Sequence, residues 1–121
     1  MTNLIETVRV SEKGKQQLSR LKRSTGIENW NTLCRWALCV SLAEPSIPPR
    51  EEIPADGITD MTWRTFANQH GDIYEAIIKQ RLIEDKIPIE EVHLWFRIHL
   101  HRGISYIAGK NLIQLMELHR V

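Results

Sequence analysis

Apolar residues recur at spacings of three and four along most of this chain, which is the pattern of amphipathic helices. The pattern predicts helices over about 12–24, 29–43, 72–85 and 88–107, a short helical segment ending at Phe66, and a last one over 111–119. Residues 5–11 differ, because apolar and polar side chains alternate loosely there and predict a short strand. The expected fold is mainly α, with a short N-terminal strand followed by a compact helical domain.

The N-terminal strand and the two helices after it have the outline of a ribbon-helix-helix protein. A strand this short is not stable alone. We expect its partner strand to come from a second subunit, as in proteins whose paired strands enter the DNA major groove.

The second helix carries apolar side chains around most of its circumference, among them Trp30, Trp36 and Leu38. A helix that is hydrophobic nearly all round is buried. In a chain of 121 residues, burial on every side predicts a subunit interface. We therefore expect an oligomer.

Two further segments give packing expectations. Four prolines lie between Glu44 and Gly57, which predicts an extended connector held to the body by Ile47 and Ile53. The helix over 72–85 is expected to turn four apolar side chains inward: Ile73, Ile77, Ile78 and Leu82.

Length and composition predict one domain over residues 1–121, since 42% hydrophobic and 26% charged residues are typical of soluble globular proteins. We expect no membrane span, because no apolar run approaches about 20 residues. We expect no signal peptide, because the N-terminus has no positive segment followed by an apolar one. Cys34 and Cys39 do not resemble a disulfide framework, which favours a cytoplasmic protein with reduced thiols.

The net charge of +1 hides an uneven distribution along the chain. Residues 1–42 carry a net charge of +4, and residues 43–121 carry −3. The positive side chains gather on the first helix and the strand before it, and a local basic surface of this kind is suited to polyanions. The candidate phosphate contacts are Arg9, Lys13, Lys15, Arg20, Lys22 and Arg23. The alternative is a solvated helix face, on which Lys22 and Arg23 complement the helix dipole.

The residues give little support to catalysis, a metal or a cofactor. His99 and His101 would point about 200° apart on a helix, and Cys34 and Cys39 about 140° apart, so neither pair forms a metal or redox site. Arg97, His99, His101 and Arg102 make a second, smaller basic group. Gly103, within the predicted fourth helix, suggests close approach of another backbone, at an interface or across a bound phosphate.

Several longer segments resemble one family closely. They read TGI at 25–27, WNTLCRWA at 30–37, SLAEPSIPP at 41–49, IPA at 53–55, MTW at 61–63 and HLHRGISY at 99–106. In this order, after a strand and a basic helix, they resemble the DndE family, the E component of bacterial DNA sulfur modification.

The resemblance implies a role in DNA phosphorothioation, in which sulfur replaces a non-bridging phosphate oxygen. Other components would supply the cysteine desulfurase, the iron–sulfur protein and the ATPase. This component would be a non-catalytic helical homotetramer, without a cofactor of its own, that associates with nicked double-stranded DNA. Its phosphate contacts would fall on Lys13, Lys15 and Lys22, with Arg20 and Arg23 beside them.

Three alternatives remain open from the sequence. A ribbon-helix-helix regulator would bind one operator far better than random duplex. A nickase, or a sulfur carrier using Cys34 or Cys39, would be an enzyme. A scaffold would use the basic face to bind an acidic protein instead of DNA.

Overall fold

The computed structural model describes residues 4–56 and 60–117. Its elements are two short strands and six helices within those ranges. In chain order they are β1 (Thr7–Arg9), α1 (Glu12–Thr25), α2 (Trp30–Ala43), β2 (Asp60–Thr62), α3 (Trp63–Ala67), α4 (Gly71–Glu84), α5 (Val92–Ile107) and α6 (Leu112–Glu117). The mainly helical fold with an N-terminal strand is confirmed.

β1 pairs with β2 of the same chain. The two strands are antiparallel, with Val8 opposite Met61 and Arg9 opposite Asp60. The expectation that a second subunit supplies the partner strand is wrong for this pairing. The sequence pattern missed β2 because three residues are too few to show a period of two. Val8 is fully buried, so the strand pair closes over one side of the core.

The centre of the fold is the packing of α2 against α5. Gly103 of α5 lies directly against the backbone of α2, where a Cβ atom built on the glycine would be 1.8 Å from the carbonyl oxygen of Ala37. The close approach predicted at Gly103 is therefore made by another helix of the same chain. Only the side of α2 that carries Leu33, Ala37 and Leu38 is fully buried, whereas Trp30 and Trp36 are partly exposed.

Three of the packing expectations need correction. On α4, Ile78 and Leu82 are buried as predicted, but Ile73 is 57% exposed and Ile77 42% exposed. The other half of α4 thus faces outward. In the connector, Ile53 packs against the core, whereas Ile47 is 53% exposed.

The connector is held chiefly by polar contacts. Arg81 of α4 is buried and donates hydrogen bonds to the carbonyl oxygens of Leu42, Glu44, Pro45 and Ser46. It also pairs with Asp85, with 2.8 Å between Nε and the carboxylate. The bond to Leu42 satisfies a carbonyl group that the end of α2 leaves free, and the bonds to Glu44, Pro45 and Ser46 hold the start of the connector.

The remaining elements follow the sequence with small shifts. Thr62 caps α3 by accepting a hydrogen bond from the Thr65 N–H. A 3₁₀ turn at Ile89–Glu91 precedes α5, which begins later than predicted. Gly57 and the end predicted for the last helix, at His119, lie outside the described residues. In the part of the chain that is described, no helix has the length and apolar character required to cross a membrane.

Candidate nucleic-acid interface

The helix that carries the predicted site, α1, has well-formed ends. Ser11 is its N-cap and accepts a hydrogen bond from the Gly14 N–H at 3.1 Å. Gly26 ends it in the left-handed conformation, with φ of 75°, and its N–H bonds to the Lys22 carbonyl. A left-handed residue at this position favours glycine. Both ends were predicted from the sequence, and both are confirmed.

The buried face of α1 decides which side chains reach solvent. Gly14, Leu18, Leu21 and Thr25 are buried. The opposite side of the helix is therefore turned outward along its whole length. It carries the positive side chains that the sequence analysis identified.

Three of the predicted residues line one surface. Lys15, Arg20 and Arg23 border a shallow depression on the outer side of α1, together with Glu12, Gln16 and Ser19. Lys22 is exposed in the last turn. We call Lys15, Arg20, Lys22 and Arg23 the basic face. Apart from Glu12 in the first turn, this side of α1 carries positive side chains together with the hydroxyl of Ser19 and the amide of Gln16, which suits a line of phosphates.

Arg9 and Lys13 lie apart from the basic face. Arg9 is on β1, and its Nε lies 3.9 Å from the carboxylate of Asp60. Lys13 borders a cleft of about 380 Å³ between α1, the connector and α5, where Glu51 and Glu52 are also found. Carboxylates at its rim make this cleft less favourable for phosphate than the outer face of α1.

Both ends of α1 are bonded to the last third of the chain. The Ser11 N–H donates to Nε2 of His101 at 3.0 Å, and Nδ1 of His101 lies 2.8 Å from the Arg97 carbonyl oxygen. A backbone N–H only donates, so Nε2 accepts and Nδ1 carries the proton. Burial lowers the pKa of His101 and favours this neutral form. At the other end, the Ser24 hydroxyl donates to the Lys110 carbonyl oxygen at 2.8 Å.

The second basic group of the sequence is used inside the fold. Arg102 donates to the hydroxyl and the carbonyl of Ser41 and to the carbonyl of Ser46. Arg97 donates to the Ile53 carbonyl. His99 is buried against Ser41, and burial, together with the nearby positive charges of Arg81 and Arg102, lowers its pKa to about 4.

The structural role of Arg81 was missed by the sequence reasoning. The one available signal was the carboxylate four residues later, Asp85, which is the spacing of a helical ion pair. That spacing does not show that the pair is buried.

The two thiols are unsuited to nucleophilic chemistry. Burial raises the pKa of Cys34 to about 12, despite the positive charge of Arg35 nearby. Burial also raises the pKa of Cys39, whose side chain is hydrogen-bonded to that of Tyr74. A thiol reacts as its thiolate, and these surroundings disfavour the thiolate. Over residues 4–56 and 60–117, no three His, Cys, Asp or Glu side chains are grouped so as to hold a metal ion.

Comparison with known proteins places this geometry in a family. The fold is similar to the crystal structure of DndE from Escherichia coli B7A involved in DNA phosphorothioation modification, with a TM-score of 0.72, 20% identity, and coverage of 88% of this chain and 99% of that one. It is also similar to a DndE G21/24K mutant involved in DNA phosphorothioation, with a TM-score of 0.68, 18% identity, and coverage of 84% and 96%. The comparison with curated proteins gave no match. The family model described as DNA sulphur modification protein DndE matches residues 7–114, so the chain belongs to the DndE family.

Proposed function

We propose that this chain is a non-catalytic DNA-binding subunit of a DNA phosphorothioation machinery. It binds double-stranded DNA, nicked in the working complex, through phosphate contacts from α1. Its membership of the DndE family supports the place in sulfur modification. The observation that carries the DNA-binding role is the basic face, where Lys15, Arg20 and Arg23 border one depression.

The contacts of the basic face are suited to the DNA backbone. Lys and Arg neutralise phosphates and release counterions, which gives affinity without reading base sequence. Gln16 and Ser19, between the cations, offer neutral donors to the same oxygens. We propose Arg9 and Lys13 only as flanking contacts, outside the basic face. Asp60 lies beside Arg9, and the carboxylates of the cleft lie beside Lys13, which makes both positions less favourable for phosphate.

We further propose that residues 1–121 form one DndE-type domain that works in the cytoplasm as a homo-oligomer, a tetramer. The other sulfur-modification proteins of the same system would be its partners. Exposed apolar side chains support protein contacts away from the basic face: Ile73, Ile77 and Ile83 on α4, and Leu112, Ile113 and Met116 on α6. The ribbon-helix-helix alternative is not supported, because β1 is paired within its own chain.

The test is a titration of intact, nicked and single-stranded DNA of one sequence at several salt concentrations. Wild type is compared with Lys15→Ala/Lys22→Ala, and with Arg64→Ala/Lys79→Ala, which removes the same charge from exposed positions on α3 and α4. We expect tighter binding to nicked duplex. We also expect the slope of log K against log salt to fall by about two in the α1 variant, since each phosphate contact contributes about 0.9. Equal binding by the two variants would exclude the basic face as the site.

A further inference from the structure

A shallow hollow lies between the end of α2 and the end of α5. It is lined by Val40 and Ala43 of α2 and by Glu44, Tyr106 and Lys110. Its volume is about 350 Å³. Two apolar residues, an aromatic residue, a lysine and a glutamate thus line one open site.

The aromatic ring of this hollow is exposed and held in place. Tyr106 is 41% exposed, and the guanidinium of Arg102 lies 5.6 Å from its ring centroid. That guanidinium is itself bound to Ser41, with Nε 2.8 Å from the hydroxyl and Nη2 2.8 Å from the carbonyl. The ring therefore rests on a fixed neighbour, which reduces the entropy lost when a ligand stacks on it.

Lys110 connects the hollow with the basic face. Its carbonyl oxygen accepts the hydrogen bond from Ser24, one residue beyond Arg23 of the basic face. A DNA strand whose phosphates follow α1 towards its C-terminus is therefore brought to the rim of the hollow. Glu12 is the carboxylate among the residues that line the depression, and it lies at the opposite, N-terminal end of α1.

We propose that the hollow formed by Val40, Ala43, Glu44, Tyr106 and Lys110 takes one unpaired DNA base, stacked on Tyr106, with the adjoining phosphate near Lys110. This inference rests on the proposed DNA-binding function and adds a base site to it. An unpaired base has a flat apolar face that can contact the Tyr106 ring, Val40 and Ala43. Its exocyclic amino group is a donor for the Glu44 carboxylate, which favours cytosine, adenine or guanine over thymine.

The site distinguishes forms of DNA. Bases of an intact duplex are stacked and paired, whereas a base at a nick, in a flap or in a single strand is free to turn outward. The hollow would therefore add affinity only for interrupted or unpaired DNA.

The test uses wild type, Tyr106→Ala and Tyr106→Phe with three DNAs. These are an intact duplex, a single strand, and a duplex whose nick carries a one-base flap of 2-aminopurine. We expect Tyr106→Ala to weaken binding of the flap and the single strand by about 5- to 150-fold, the range found for base–aromatic stacking. Tyr106→Phe keeps the ring and should retain affinity. Intact duplex should bind all three proteins alike. The 2-aminopurine fluorescence should be quenched by wild type and by Tyr106→Phe, but not by Tyr106→Ala.

The outcomes separate this inference from the proposed function. If Lys15→Ala/Lys22→Ala weakens binding of every DNA while Tyr106→Ala binds the flap like wild type, the base site is wrong and the basic face stands. If wild type binds none of the DNAs, both proposals fall. If Tyr106→Ala has a lower mass than wild type by light scattering at equal concentration, the hollow is a subunit contact and the base site is overturned.

Discussion

The carbonyl oxygen of Ala37 occupies the place where Gly103 would carry a side chain, only 1.8 Å from an ideal Cβ atom. Because both groups are backbone atoms of packed helices, neither can turn aside as a flexible side chain would. The α2–α5 contact, around which the other elements are arranged, thus depends on the missing methyl group.

We predict that Gly103→Ala destabilises the fold by about 3 kcal/mol or more, at the upper end of overpacking effects. In a free helix the same change stabilises by about 1 kcal/mol, so the sign itself is diagnostic. Urea unfolding followed by circular dichroism measures the difference. Ser105→Ala, at an exposed position of the same helix, should remain within about 0.5 kcal/mol of wild type. A stable Gly103→Ala would mean that the helices can separate without loss.

Acid should destabilise the protein through His99 and His101. Burial lowers the pKa of His99 to about 4 and also lowers that of His101. A histidine with a lowered pKa when folded binds more protons when unfolded. Its stabilisation is therefore complete above the unfolded pKa of about 6.5 and is lost as the pH falls towards the folded value.

We expect the free energy of unfolding to be level near pH 7.5 and to fall below pH 6.5, by up to about 1.4 kcal/mol per pH unit for each histidine. His99→Gln should reduce this slope. His93→Gln, at an exposed position of α5, should keep it. An unchanged free energy of unfolding between pH 7.5 and 5 would contradict the role of the two buried rings.

Arg81 should not be replaceable by lysine. Its guanidinium bonds to four carbonyl oxygens and to Asp85, a geometry that the point charge of lysine does not reproduce. We expect Arg81→Lys to lower the unfolding free energy by about 3 kcal/mol, because a lysine leaves some of these carbonyl oxygens without a donor and each such loss costs about 1–3 kcal/mol. Arg64→Lys, at an exposed site, is the matched control. Equal stability of the two variants would show that the connector is held by other contacts.

The thiols should be dispensable for DNA modification. Because burial raises the pKa of Cys34 to about 12, we expect the folded protein to protect this thiol from a disulfide reagent at pH 8, and denaturant to expose it. A Cys34→Ala/Cys39→Ala variant should still support phosphorothioation when it replaces the wild-type gene. Loss of modification by a folded variant would favour the sulfur-carrier alternative.

The sequence was a good guide to α1 and a poor guide to the parts that depend on distant contacts. Ser11 and Gly26 mark the ends of α1 by local chemistry, and the helical period then decides which cations point outward. The exposure of Ile73 is different, because it depends on where α4 lies against the body. No local pattern contains that information.

The candidate site shows the same division. Lys15, Arg20 and Arg23 share a surface because they share a helix. Lys13 is separated from them by the position of the connector, whose carboxylates are nearly forty residues away in sequence. The internal use of Arg102 could not be predicted either, since its partners on and after α2 are brought together only by the packing of α2 against α5.

The hydrogen bonds at the two ends of α1, from Ser11 to His101 and from Ser24 to Lys110, hold a helix of fixed length against the body of the fold. Its 14 residues span about 21 Å, which corresponds to about six base-pair steps along a duplex. Because both of its ends are bonded to the rest of the fold, α1 is not free to pivot or slide along an irregular DNA backbone. If α1 binds DNA as proposed, each protomer would contact a stretch of constant length, and the proposed oligomer would contact several stretches of that length.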